Sequence, residues 1–409
     1  MVEVIQNAGI IVAASKGLST ESTVVSCLSR FVEGGRNAPC MLLLFAGGLH
    51  DPAVILDVIA ARYPNTRIVG ASAAGIIGPE GAAYSGLEIG MVAFMHDDLT
   101  PKLYFANTLA QGDLEAGREL GRMIHQEHAP EATVLLLYDS VLSVEPRRLH
   151  VAGAVVRGLQ DVLGIHAPIT GAGVLTDLAI TDGWMVLDGA VRRHVAAALV
   201  FPPEVTTEAV VLHACRPISA FMTITGIDGA EILTLDGRRA LDVIEERLDM
   251  PLISEAGHPS RIMTLGLKLG EQWNSAGPED YVNRLILTAN RQTGSITLFE
   301  PDFFEGALVQ LMQNDPEMML QTARTQVATA TSSRSDGATP FLRLYIDCAG
   351  RASIMSGSEV EEADVVRGAL QDDVPFLGFY SGVEIAPMQG FSRPLDWTGV
   401  LMTLLVRAR

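Results

Sequence analysis

The sequence predicts an α/β protein of two domains, built from repeated βαβαββ units whose mixed sheets are flanked by helices. Three observations carry that prediction. One outline (strand, helix, apolar strand, helix, strand, glycine turn, last apolar strand) recurs over Ile10 to Met95, Lys102 to Phe201 and Ala307 to Val406. The middle strands of these units read CMLLLFAGG, ATVLLLYDS and FLRLYIDCAG. Their closing parts read IVGASAAGII, ITGAGVLTD and FLGFYSGVEI, and each leads on to a final apolar strand. Glycine turns at equivalent places are the first candidates for a shared binding site.

Each element has a local reason. In the first unit a strand at Ile10 to Ala14 is followed by a helix that Ser19 or Thr20 caps and that runs through Val32. The apolar run Met41 to Phe45 reads as a buried strand. Asp51-Pro52 supplies an N-cap and first-turn pair for a helix to about Tyr63, since proline loses nothing where the backbone donor is already unused. In the second unit Asp113 caps a helix through His125, Thr133 to Tyr138 is the strand, and a helix from Pro146 to Leu163 follows. In the third, Asp315-Pro316 repeats the cap pair, and a Ser/Gly-rich loop, TSSRSDGATP, precedes the Phe341 strand. Strands joined by helices pair in parallel, with the final strand of each unit added antiparallel. Between Val205 and Glu300 the rhythm changes to strands with Gly-Asp-Gly turns and a helix from Arg238 to Leu248. That stretch reads equally as a fourth unit or as a β-rich insertion. The seam lies near Pro217 to Gly226, which gives domains of 1–217 and 218–409.

The bulk properties narrow the function. The chain has 409 residues, 48% hydrophobic and 19% charged, the composition of a well-buried globular protein. A net charge of −19 argues against a nucleic-acid partner, which needs clustered Lys and Arg. No apolar run approaches the roughly 18 residues that a membrane span requires. The start, MVEVIQN, lacks the basic segment of a secretory signal, so the expected compartment is cytoplasmic. The four cysteines have no CxxC spacing, and no phosphate-binding loop, GxSxG elbow or HExxH motif occurs.

IVGASAAGII, Thr181 to Gly183 and ACRPIS in the first half, with LDGRRALDVIEERL, YVNRLIL, GSITLFEPDFFEGALVQLM, LYIDCAGR and FLGFYSGVEIAP in the second, resemble the FIST family. In that family a FIST N domain precedes a FIST C domain. The resemblance implies a sensory module for a small ligand such as an amino acid, with output through a separate signalling partner such as a histidine kinase. It also implies an alternative, a haem-binding nitric-oxide sensor. SRPLDWTGV departs from the family's usual His/Asn-containing stretch, so haem does not transfer directly.

In doubly wound sheets ligands sit beyond the carboxyl ends of strands, which selects the residues at the glycine turns. Gly70, Ser72, Tyr380, Ser381 and Glu384 are candidate ligand contacts there. Glu384 suits a ligand amine, and Arg216, at the domain seam, suits its carboxylate. Cys348 and Arg351 stand at the end of LYIDCAGR; a thiol beside an arginine can be activated, so a Cys348 nucleophile is the enzyme alternative. Each residue also has a structural reading: tight turns for the glycines, salt bridges for Arg216 and Glu384, a small buried side chain for Cys348. No catalytic residue and no metal site is expected. His125 and His128 lack a third ligand, and His50 and His166 are the histidines near strand ends that could serve haem.

Overall fold

A computed structural model describes residues 9–32, 38–145, 147–253, 263–270, 277, 280–332, 337–370 and 372–407. The first unit holds β1 (Ile10–Lys16), α1 (Thr20–Val32), β2 (Met41–Ala46), α2 (Pro52–Arg62), β3 (Arg67–Ser72), a hairpin of β4 (Gly75–Gly78) and β5 (Gly81–Ala83), and β6 (Glu88–Phe94). The second holds β7 (Lys102–Ala106), α3 (Asp113–His125), β8 (Val134–Asp139), a small ribbon of β9 (Val141–Ser143) and β10 (Arg148–Leu149), α4 (Ala152–Leu163), β11 (Ile169–Val174), a hairpin of β12 (Met185–Leu187) and β13 (Ala190–Arg192), and β14 (Ala196–Val200). Next come β15 (Val205–Leu212), β16 (Cys215–Pro217), β17 (Met222–Asp228), β18 (Glu231–Leu235), β19 (Arg238–Arg239), α5 (Ala240–Leu248), β20 (Met263–Lys268), β21 (Tyr281–Asn290), β22 (Ser295–Leu298) and β23 (Leu308–Asn314). The chain ends with α6 (Pro316–Ser332), β24 (Ala338–Cys348), α7 (Glu362–Ala369), β25 (Phe376–Ser381), a hairpin of β26 (Val383–Met388) and β27 (Phe391–Leu395), and β28 (Gly399–Arg407).

The predicted class holds, and the local reasons hold with it. Asp51 accepts from the Ala53 amide at 2.8 Å and Pro52 opens α2. The strand alternatives sort as expected: β2–β3, β8–β11 and β24–β25 are parallel, and the last strand of each unit runs antiparallel. Two helix expectations change. The helix expected from Pro146 starts at Ala152, because residues 148–149 pair with β9; Pro146 itself lies outside the described residues, as do residues 333–336 of the Ser/Gly-rich loop. Asp113 begins α3 but does not cap it, since its carboxylate is taken by His150 and the Val151 amide.

The three units form three sheets with one strand order. The orders are β1-β6-β2-β3-β12-β13, β7-β14-β8-β11-β26-β27 and β15-β28-β24-β25-β4-β5. In each, the last two strands are a hairpin donated by another unit. The second unit extends the first sheet, the third extends the second, and the first extends the third, so the exchange closes on itself. The glycine turns are where the chain leaves its own sheet for the next. This explains three of the glycines. Gly70, Gly171 and Gly378 stand opposite Leu44, Leu136 and Tyr345 in parallel register. A Cβ on Gly70 would lie 2.5 Å from the Leu44 side chain, and one on Gly378 would lie 2.8 Å from the Tyr345 carbonyl.

The first strand of the third sheet is β15, not the strand after Ala307. β15 pairs with β28 over its whole length, from Val205–Val406 to Leu212–Gly399. β23 belongs to a separate structure, in which β17, β18, β22, β21, β20 and β23 pair antiparallel in a closed ring. The stretch with the changed rhythm is therefore an antiparallel barrel inserted after the first strand of the third unit.

The inner faces of the three sheets share one core, in which Phe45 and Phe379 stack with ring centroids 3.8 Å apart. Their outer faces carry helix pairs: α1 and α2, α3 and α4, α6 and α7. α3 and α4 cross at Gly117 and Gly158, where a Cβ on Gly117 would stand 3.0 Å from the Gly158 Cα and collide with the Val155 carbonyl. Backbone cannot yield as a flexible side chain can, so Gly117→Val is expected to cost about 3 kcal/mol through overpacking. Urea unfolding of the variant beside wild type measures this; equal midpoints would contradict it.

Candidate functional site

At the carboxyl ends of β8, β11, β24 and β25 the chain encloses a cavity of about 100 Å³. The second unit contributes Tyr138, Ser140, His150 and Leu175, the third Cys348, Ser381 and Trp397, and the inserted barrel closes it with Leu285 and Phe299. Glu300, just past β22, completes the wall. The lining is mainly apolar with a few convergent polar groups, the usual make-up of a small-molecule site.

The polar groups come from distant places. Glu300 accepts from the Ala152 and Gly153 amides, both at 2.9 Å, so a carboxyl beside the barrel caps α4 of the second unit. Burial pushes it up to about 8. His150 is fixed from both sides, by Asp113 at 2.7 Å on Nδ1 and by His194 at 3.2 Å on Nε2. The Tyr138 hydroxyl and Ser140 Oγ lie side by side, yet neither completes a hydrogen bond of ordinary geometry. Gly173 and Gly382 border this pair, and a Cβ on Gly382 would stand 3.1 Å from Ser140 Oγ. Buried hydroxyls without partners are costly, on the order of 1–3 kcal/mol each. Two wall residues, Ile180 (φ 62°) and Trp397 (φ 58°), adopt left-handed backbone that bulky side chains disfavour. Strain of this kind clusters at ligand sites.

Of the residues selected from sequence, Cys348 and Ser381 line the cavity. Ser381 donates to Glu384 at 2.7 Å, and the Glu384 carboxyl, also bonded by Thr398, is fully buried behind it. Burial pushes Glu384 up to about 8. Arg351 lies in the outer layer of the third sheet, paired with Glu362, with its Nη1 donating to the Trp397 carbonyl at 2.8 Å. Tyr380 is in the same layer and donates to Glu361 at 2.6 Å. Ser72 accepts from the Trp184 amide at 3.1 Å, and Gly70 is a mid-strand packing position. Arg216 is half-exposed and pairs with Asp315 at 3.1 Å. Gly70, Ser72, Arg216, Arg351, Tyr380 and Glu384 are not part of the lining, so Arg216 and Glu384 do not face one cavity. The sequence reading passed over Tyr138, Ser140, Glu300 and Trp397. Tyr138 and Ser140 were readable by analogy, since YDS ends the second middle strand as DCAG ends the third.

The Cys348 thiol is pushed well up by burial, with Glu384 adding to the effect, and Arg351 is committed to Glu362 instead of lowering it. The thiol is therefore protonated at neutral pH, the opposite of an activated nucleophile. Haem does not fit the lining either. Both ring nitrogens of His150 are engaged, Cys348 holds its proton, and neither His50 nor His166 borders the cavity. Among the described residues no cluster of metal-ligating side chains occurs, and no helix is long and apolar enough to cross a membrane.

An uncharacterized protein of Mycobacterium tuberculosis (strain H37Rv) is 30% identical over 188 residues, 46% of this chain and 48% of that protein. An uncharacterized protein of Mycobacterium bovis is 30% identical over 184 residues, 44% of this chain and 46% of its own. The chain spans about half the length of the curated relatives it matches. A crystal structure of cyanuric acid hydrolase from A. caulinodans aligns over 98% of this chain and 99% of that one, at 8% identity and a TM-score of 0.37. The FIST N domain matches residues 40–238 and the FIST C domain residues 240–387, in the order the motifs predicted. The chain belongs to the FIST family, a FIST N domain followed by a FIST C domain.

Proposed function

We propose that the protein is a sensor whose small-molecule ligand occupies the cavity at the ends of β8, β11, β24 and β25. FIST domains are associated with sensing and ligand binding. The observation that carries the reading is the Tyr138–Ser140 hydroxyl pair, buried at a cavity large enough for a small molecule and completing no hydrogen bond of ordinary geometry. Ser381 and Cys348 are the direct contacts retained from the sequence, and Glu384 orients Ser381 from behind. Because the wall joins the second unit to the third and to the barrel, a ligand that bridges them favours one packing of these parts over another. Output then passes to a separate protein, with a histidine kinase as the class the family resemblance suggests.

A ligand present at a hundred times its Kd stabilises the folded state by about 2.7 kcal/mol. The test is native mass spectrometry for a co-purifying compound, followed by thermal shifts with a small-molecule panel. Leu178→Trp, which adds bulk to the wall, is expected to fold and to lose both signals. A bound compound or shift equally strong in Leu178→Trp would place the ligand elsewhere.

A further inference from the structure

Resting on the cavity reading, we propose that the ligand is a small alkylammonium whose cationic head lies between Glu300 and the aromatic residues Tyr138, Phe299 and Trp397. Four features of the site point this way. Three aromatic side chains line the cavity, and aromatic faces attract ammonium groups, most strongly when water is excluded. The Glu300 carboxyl lines the same cavity, held by two amides of α4, so it is already oriented and its position costs little to fix on binding.

Cationic side chains do not compete for that place. Among the described lining residues Arg147 is the only arginine and there is no lysine; Arg147 is exposed, and its guanidinium donates to the Ala179 carbonyl at 3.2 Å. Arg284, buried behind the wall, is committed to Asp302, Asp396 and the Pro394 carbonyl. The surroundings are instead acidic: Asp396 and Asp113 stand close enough to act on the same groups as Glu300. Burial lifts Glu300 to about 8, so this site holds a proton when empty, gives it up when an ammonium docks, and gains nothing from a ligand carboxylate. It favours one positive charge on an apolar body that covers Leu285, Leu287 and Val383, with the Tyr138 and Ser140 hydroxyls accepting from the ammonium N–H groups.

The alkylammonium and the amino-acid readings differ in what a carboxylate does. An amino acid also needs a cationic partner for its carboxylate, and among the described lining residues only the exposed Arg147, bonded to the Ala179 carbonyl, offers one.

The test is calorimetric titration of the full chain with butylammonium, butan-1-ol and butyrate, which share one carbon skeleton and differ in charge. Butylammonium is expected to bind roughly tenfold or more tighter than the other two. Glu300→Gln is expected to lose roughly tenfold of that affinity, and Phe299→Leu roughly threefold. Phe299→Leu keeps the α4 cap intact, so it carries the test if Glu300→Gln fails to fold. Tighter binding of butan-1-ol or butyrate, or butylammonium binding that both variants leave unchanged, overturns the charge assignment while keeping the cavity as the site. No binding of any of the three, together with a co-purifying compound that is neutral or anionic, also overturns it. No binding, no co-purifying compound and no thermal shift removes the cavity reading itself and this inference with it.

Discussion

Replacing Arg351 with methionine is expected to destabilise the protein by about 3–5 kcal/mol, the usual loss when a buried ion pair is deprived of one partner. Arg351 is fully buried, yet each of its three side-chain nitrogens donates a hydrogen bond. Nε reaches Glu362 at 2.8 Å and Nη2 the other oxygen of the same carboxylate, while Nη1 donates to Trp397. Asp347 lies 3.5 Å away in the same layer. Without the guanidinium, Glu362 can remain buried only by taking up a proton. The loss is therefore expected to be smaller near pH 5 than at pH 8, because a carboxyl protonated in the fold and ionised in the unfolded chain costs stability as pH rises. The pair itself need not be stabilising, since good packing can replace a buried ion pair at little cost. Arg351→Met with Glu362→Leu is accordingly expected to recover most of the loss. A double variant as weak as the single one would show that Arg351 acts through Trp397 alone. Urea unfolding at the two pH values separates these outcomes. Fluorescence adds a second readout, because Trp397, in left-handed backbone, accepts the Arg351 bond at its carbonyl.

How much of this was readable in advance depended on whether the cause was local. The helices and the parallel pairs follow from apolar runs and caps such as Asp51-Pro52, whose physics is contained within a few residues. The glycines at 70, 171 and 378 were visible as a repeat, and their reason is the strand directly opposite. The exchange of hairpins was not visible. β4 is four residues long, and nothing in GIIG tells its own sheet from the next one. The same limit misplaced the first strand of the third unit. β15 and β23 are both short strands, and nothing local in either tells which one pairs with the distant β28. In the site, Cys348 and Ser381 were readable because they end recurring strands. Glu300 was not, since its amide partner in α4 lies 147 residues away. Arg216 was selected for its chemistry beside the expected seam, and it stands half-exposed, paired with Asp315.

Glu384→Gln is expected to raise stability at pH 8 and to leave it nearly unchanged at pH 4.5. The carboxyl is buried against Ser381 and Thr398, and among the described groups Asp396 and Arg351 act on it in opposite directions. Burial dominates and lifts it from its ordinary 4.5 to about 8. Below its ordinary value the proton is bound in both the folded and the unfolded chain, and the group adds no pH dependence. Between that value and about 8 the unfolded chain has released the proton while the folded chain keeps it, so stability falls as pH rises. Each unit of separation is worth about 1.4 kcal/mol, which makes the full loss on the order of a few kcal/mol. Glutamine keeps the shape, accepts from Ser381, cannot ionise and so removes this loss. Glu300, lifted to about 8, and Asp396, lifted to about 6, slope the same way and remain in the variant. The variant's curve should therefore be shallower than wild type without being flat. Unfolding free energies at pH 4.5, 6.5 and 8 decide it: parallel curves would mean that water reaches Glu384 and that it ionises freely in the fold. A ligand that excludes water from the cavity would steepen the wild-type curve and leave that of Glu384→Gln alone, which ties the buried carboxyl behind Ser381 to occupancy of the site in front of it.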